Sequence, residues 1–173
     1  MGTCDFTQGI SKGCNPNSSG IVEVYIGNYP TGYTGTEWLT ETGGTATGMS
    51  GVSFYTFEFP KNSSNWTDEA TITVEKSTAS FKHMVSMYFP KNDADKRNMI
   101  YTMAYANMIA IVKDKNDKYF LLGPQCGLSL DTGAFASGTA PGDGNGWNIS
   151  LSSDENKPAF EVSSSIISGL LAD

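Results

Sequence analysis

Phe81-Lys-His-Met-Val-Ser-Met-Tyr-Phe-Pro90 opens the stretch that decides the fold, and that stretch runs on to Gly123. Its residues alternate. Phe81, His83, Val85, Met87 and Phe89 fall on one side of a strand, and Lys82, Met84, Ser86 and Tyr88 on the other. Pro90 has no N–H for the ladder and stops it. Asn92 or Asp93 then caps a helix near 92–106, where Met99, Ile100, Met103 and Tyr105 recur at helical spacing. Asp93 and Arg97 stand four apart as an acid-before-base pair. Met108-Ile-Ala-Ile-Val112 is a short apolar run of the kind found in buried strands. Asp114-Lys-Asn-Asp117 turns the chain into Tyr119-Phe-Leu-Leu122, and Gly123-Pro124 ends that strand. The pattern predicts this one helix, held between strands.

Working outward, Gly20–Ile26 is apolar except at Glu23, so it predicts a strand that meets protein on both faces. Val52–Phe59 sets Phe54, Thr56 and Glu58 against Tyr55, Phe57 and Phe59, with aromatics again on both sides. Thr71–Glu75, led into from Trp66, pairs with the Phe81 strand as a hairpin. Gly127–Leu130, Trp147–Ser152 and Ala159–Val162 complete the set, and Asp131–Asn145 reads as a loop. The expectation is a mainly β chain, a sandwich or barrel of about eight strands with one flanking helix.

At 173 residues the chain fits a single domain. Residues 1–20 read as an N-terminal arm and 163–173 as a C-terminal arm or short helix. Asn28–Gly51 is rich in Gly and Thr but carries Tyr29, Tyr33, Trp38 and Leu39. That mixture predicts a projecting hairpin that finds its partner on another subunit.

Only 17% of residues are charged, and the net charge is −7 with no run of Lys or Arg. Binding to a phosphate backbone needs clustered cations, so composition argues against a conventional nucleic-acid binder. The polar start has no apolar signal-peptide core, and no apolar run approaches the ~20 residues of a membrane span.

The chemistry-bearing residues form no motif. Cys4, Cys14 and Cys126 lack CxxC spacing and four-ligand geometry, which argues against zinc. Cys4 and Cys14 could pair only if the arm folded back. His83 is the sole histidine and has no G-x-S-x-G companion, so it reads as a structural residue. Asp143-Gly-Asn145-Gly lacks the acids of a calcium loop and reads as a turn. Asp114, Asp117, Asp131 and Asp143 are spread over turns, and nothing in the pattern selects a paired-carboxylate site. Gly138–Gly146 has no Gly-Lys-Ser/Thr and no helix behind it. No catalytic, cofactor or metal site is predicted.

What remains is apolar surface in excess of what a small β domain should expose. Bare strand edges invite aggregation, and a closed ring of identical sheets removes them. The predicted inter-subunit contacts are Tyr29, Tyr33, Trp38, Leu39, Tyr55, Phe57 and Phe59.

The order of strand, Pro-Lys-Asn-Asp helix, apolar strand, Asp-Lys-Asn-Asp turn and Tyr-Phe-Leu-Leu-Gly resembles the tail tube proteins of long-tailed bacteriophages. The likeness is to those of Bacteroidetes phages and prophages. Ser137-Gly-Thr-Ala-Pro-Gly-Asp-Gly-Asn-Gly-Trp-Asn-Ile-Ser-Leu-Ser, Glu155 and Pro158-Ala-Phe carry it further. It covers roughly Gly20–Val162, and its motifs are structural. The resemblance implies a β-sandwich whose copies form rings, expected to be hexameric. Rings stack into a tube whose inner sheets join around a channel, and a hairpin between early strands reaches the next ring. It implies no enzymatic activity and no cofactor. Its implied partners are other copies of itself and tail proteins such as the tape measure, tail tip and terminator. DNA passes as non-sticking cargo, and no membrane is involved. The expected location is the virion tail, after assembly in the host cytoplasm. The alternatives are a tail terminator or head–tail connector of the same fold, or a carbohydrate-binding sandwich using Trp38, Trp66 or Trp147.

Overall fold

The computed structural model describes residues 6–14 and 16–172. In chain order the strands are β1 (Ile21–Asn28), β2 (Leu39–Thr42), β3 (Thr45–Met49), β4 (Phe54–Phe57), β5 (Asn65–Thr73) and β6 (Thr78–Pro90). Helix α1 (Ala94–Met103) follows, then β7 (Met108–Asp114), β8 (Tyr119–Leu122), β9 (Ser129–Ala136), β10 (Gly146–Glu155), β11 (Phe160–Val162) and helix α2 (Ser164–Leu170).

A large sheet takes the order β2-β3-β11-β8-β7-β1-β4, and a small one the order β5-β6-β10-β9. They face each other as a sandwich. The inward alternation of β6 holds: His83, Val85 and Met87 are buried. They meet Ile149 and Leu151 from β10 and Val24, Ile26, Ala110, Val112 and Leu122 from the large sheet. Met103 of α1 closes one side of this core.

A second apolar cluster lies on the other face of the large sheet. Tyr25, Ile109, Ile111 and Leu121 point away from the sandwich and are covered by Trp38, Leu39, Ile167 and Leu170. Each such side chain contributes about 1.5–3 kcal/mol by leaving water. The two-sided character of β1 and β7 is therefore real, but the chain supplies both covers itself.

That corrects three expectations. Of the two readings of 163–173, the short helix holds and the free arm does not: α2 packs Ile167 and Leu170 onto the sheet, and the Ala172 N–H donates to the Phe54 carbonyl at 2.8 Å. The 28–51 segment does not project. Its hairpin, β2–β3, extends the large sheet through parallel pairing of Thr45 and Ala46 with Glu161 and Val162 of β11. Its buried apolar side chains (Pro30, Trp38, Leu39 and Ala46) are too few to set a strand or helix period. Finally, among the described residues there are eleven strands where about eight were expected. β2 and β3 are the two strands of the hairpin expected in the Gly/Thr stretch, here part of the chain's own sheet. β9 was hidden because Asp-Thr-Gly-Ala-Phe-Ala has little strand propensity and is held by its pairing with β10.

Helix α1 starts one residue after its cap. Asp93 accepts the Lys96 N–H at 2.9 Å, and those two residues form the ion pair, not Asp93 and Arg97. Residues 6–14 and 16–20 are exposed and lie outside any helix or strand. Asn116 holds the end of that segment through Asn17 and Ser18. The Cys4–Cys14 pairing lies outside the described residues; Cys14 and Cys126 are free thiols.

Candidate assembly interface

Three surfaces are candidates, and each follows from where the strands run out. The first is the outer face of the small sheet. Alternation that sends Val85, Met87, Ile149 and Leu151 inward sends Ser86, Asn148 and Ser150 outward. A shallow hollow lined by Asn65, Ser86, Thr132, Asn148 and Ser150 crosses all four strands of this face. Its charges are few, and Lys82 sits between Glu69 and Asp154 on the adjoining strands. Both border strands, β5 and β9, pair on one side only.

The second surface is the β5–β6 hairpin. Pairing with β10 ends at Phe81↔Glu155. Past that point β5 and β6 continue alone through Thr71↔Ser80, Ile72↔Ala79 and Thr73↔Thr78. A 3₁₀ turn at Val74–Lys76 closes the ribbon, with Ser77 at φ 51°. Ile72 is 65% exposed and Val74 83%. A lone two-stranded ribbon is marginal in water, so this tip lacks a partner.

The third is an apolar groove between α1 and the Thr56–Phe57 end of β4, whose Phe54 end is bridged by Leu171. Phe57, Phe89, Met99, Ile100, Met103 and Ile149 line a cavity of about 200 Å³ there. An adjoining cavity of about 240 Å³ shares Phe57, Met99 and Met103 and runs on to Tyr55. Tyr55 is 53% exposed and Met99 50%.

The residues predicted for inter-subunit contact divide between these places and the interior. Trp38 is 2% exposed and Leu39 is buried, so neither can reach another chain. Tyr29 joins them: its ring meets Trp38, and its hydroxyl donates to the Gln125 carbonyl at 2.8 Å. Burial holds the Tyr29 phenol above its ordinary pKa. Phe59 packs half-buried against the inter-sheet core. Tyr55 and Phe57 alone of the set border the groove, and Tyr33 is exposed elsewhere. Sequence reasoning missed Ile72, Val74 and Met99 as surface groups. The overhang lies before Phe81: β6 begins at Thr78, and Thr78–Ser80 pair with β5 but not with β10.

His83 is fully buried. Its Nδ1 accepts the Gly123 N–H at 3.3 Å, which leaves the proton on Nε2 to donate to the Lys157 carbonyl at 3.2 Å. Asp68 stands 3.7 Å from Nε2 and accepts the Ala159 N–H. Nearby, buried Glu155 accepts the Gln125 and Cys126 N–H groups and the Ser153 hydroxyl. These polar groups pin loops to the sandwich. Burial, then the Glu155 charge, raises the Cys126 thiol pKa. Among the described residues no group of three or more His, Cys, Asp or Glu could hold a metal ion, and no helix is long and apolar enough to cross a membrane.

Comparison with protein-family models, with curated proteins and with solved structures gave no match.

Proposed function

We propose that this chain is a structural subunit of a phage tail tube, assembling as rings that stack around a DNA channel. The observation that carries the reading is the small sheet: among the described residues both its edges are free, and its outer face is mostly polar, with Ser, Thr and Asn around the central hollow and Met84, Tyr88 and the Glu69, Lys82 and Asp154 charges beside it. Its four strands alternate in direction, so β9 of one copy meets β5 of the next antiparallel when copies are related by rotation about one axis. An even strand number lets the alternation continue around a closed barrel. In that arrangement the polar outer face lines the channel. A mostly polar wall whose one lysine, Lys82, stands between two acids offers DNA no cluster of cations to displace its counterions, and the protein's net charge is −7. The β5–β6 hairpin then points along the tube toward the next ring.

Negative-stain microscopy of concentrated protein tests this. Rings or tubes with a central hole are expected, and persistent monomers contradict it. Single rings that never stack favour the tail terminator or connector reading. The carbohydrate-binding reading is disfavoured because each tryptophan is engaged. Trp38 is buried, Trp66 stacks on Phe120 at 4.9 Å, and Trp147 packs on Phe135 and donates to Asn92.

A further inference from the structure

We infer that the β5–β6 tip of one copy seats in the β4–α1 groove of a second copy, with Ile72 and Val74 as the plugs. This rests on the tube reading for its geometry, since it names the axial contact between rings.

The argument begins with β6, which joins the two features. The tip precedes Thr78 at one end of this strand. At the other end Phe89 lines the groove, and α1 follows directly after Pro90. At about 3.3 Å per residue, Thr78 and Phe89 are roughly 35 Å apart. The tip therefore cannot fill the groove of its own chain. One apolar protrusion and one apolar recess at opposite poles form a heterologous, head-to-tail pair, and repetition of such a contact builds a stack.

The chemistry of the two surfaces agrees. The groove has an almost wholly apolar lining with Met99 and Met103 in it, and methionine adapts to irregular guests. A cavity of ~150 Å³ accepts benzene, so about 200 Å³ has room for an isoleucine side chain. Charges flank both surfaces: Glu75 and Lys76 on the tip, and Glu58 with the Asp93–Lys96 ion pair at the groove. Seating the tip would cover Ile72, Val74 and Met99 together.

The test is disulfide trapping between two variants in a background of Cys4→Ser, Cys14→Ser and Cys126→Ser. One carries Val74→Cys and the other Met99→Cys; both sites are exposed, and thermal unfolding of each variant checks the fold. They are mixed at assembly concentration and oxidised with copper phenanthroline. A Tyr33→Cys variant replaces Met99→Cys as the control. The inference predicts a mixed dimer at several times the control yield. It also predicts that Val74→Asp blocks stacking while leaving ring mass unchanged. Tubes in the wild type without cross-linking above control overturn the inference and leave the tube reading intact. Cross-linked strings of subunits without rings keep the inference and sink the tube reading. A wild-type monomer with no cross-link sinks both.

Discussion

Tyr29 and Trp38 stand edge to face, with ring centroids 6.2 Å apart and planes at 75°. The pair fastens the start of a long Gly/Thr-rich segment to the outer face of the large sheet. The Tyr29 N–H also donates to the Asn107 carbonyl, and the Ser50 N–H to the Trp38 carbonyl. A segment that composition marks as a free hairpin is thus tied at both ends and in the middle.

Trp38→Ala is accordingly a stability variant. It empties a large buried site, and truncations of this kind cost about 3–5 kcal/mol. Urea unfolding followed by circular dichroism should show the midpoint falling at protein concentrations where no assembly occurs. A variant of unchanged monomer stability that only fails to assemble would contradict this.

The His83–Gly123 bond makes a second prediction. Gly123 sits at φ 74°, and a Cβ there would lie 2.9 Å from Leu128 Cγ, so the turn requires glycine. His83→Ala leaves the Gly123 N–H and the Lys157 carbonyl without their ring partner, in addition to a cavity. A loss of roughly 2–4 kcal/mol is expected. Chemical denaturation reads it directly, and a loss under about 0.5 kcal/mol would mean these bonds are replaced by water.

How much of this was legible in the sequence depended on periodicity. The strand opened by Phe81, the Asp93 cap and the buried run Met108–Val112 were all readable because local pattern and final environment agree. β9 was unreadable, since its stability comes from the neighbouring β10 ladder and not from its own side chains. The cover that α2 gives the large sheet was also invisible. Ile167 and Leu170 look like a tail until Tyr25 and Ile111 are placed beneath them. The two-sided strands β1 and β7 that suggested an excess of apolar surface are covered on both faces by the chain itself. The exposed apolar groups include Ile72, Val74, Met99 and Tyr55, whereas Trp38 and Leu39 are buried.

Asp143 sets a pH dependence in the loop before β10. Its carboxylate accepts the Ala140 and Thr139 N–H groups at 2.7 and 2.8 Å, and these bonds lower its pKa below 3.8. A depressed folded pKa stabilises fully above the unfolded value and loses that contribution as pH falls through the folded one. Amide exchange at Thr139 and Ala140 should stay slow down to the ordinary carboxylate range and quicken below it. Asp143→Asn should remove this acid step; its persistence would assign the step to another group.

The channel reading predicts a gain of function. Ser86→Lys combined with Thr132→Lys places two cations on the small sheet's outer face without touching the core. Assemblies of this variant should retain duplex DNA, and retention should fall steeply between ~50 and ~200 mM salt. Wild-type assemblies should not retain it. Equal retention by both, measured by filter binding, would remove this face from the channel wall.

Native mass spectrometry of the purified chain bears most directly on the central claim. Joining β5 to β9 around a closed barrel predicts a ring of fixed copy number, with hexamers of the 18.5 kDa chain expected and multiples of that ring as stacks grow. A single species at 18.5 kDa across the whole accessible concentration range would contradict it.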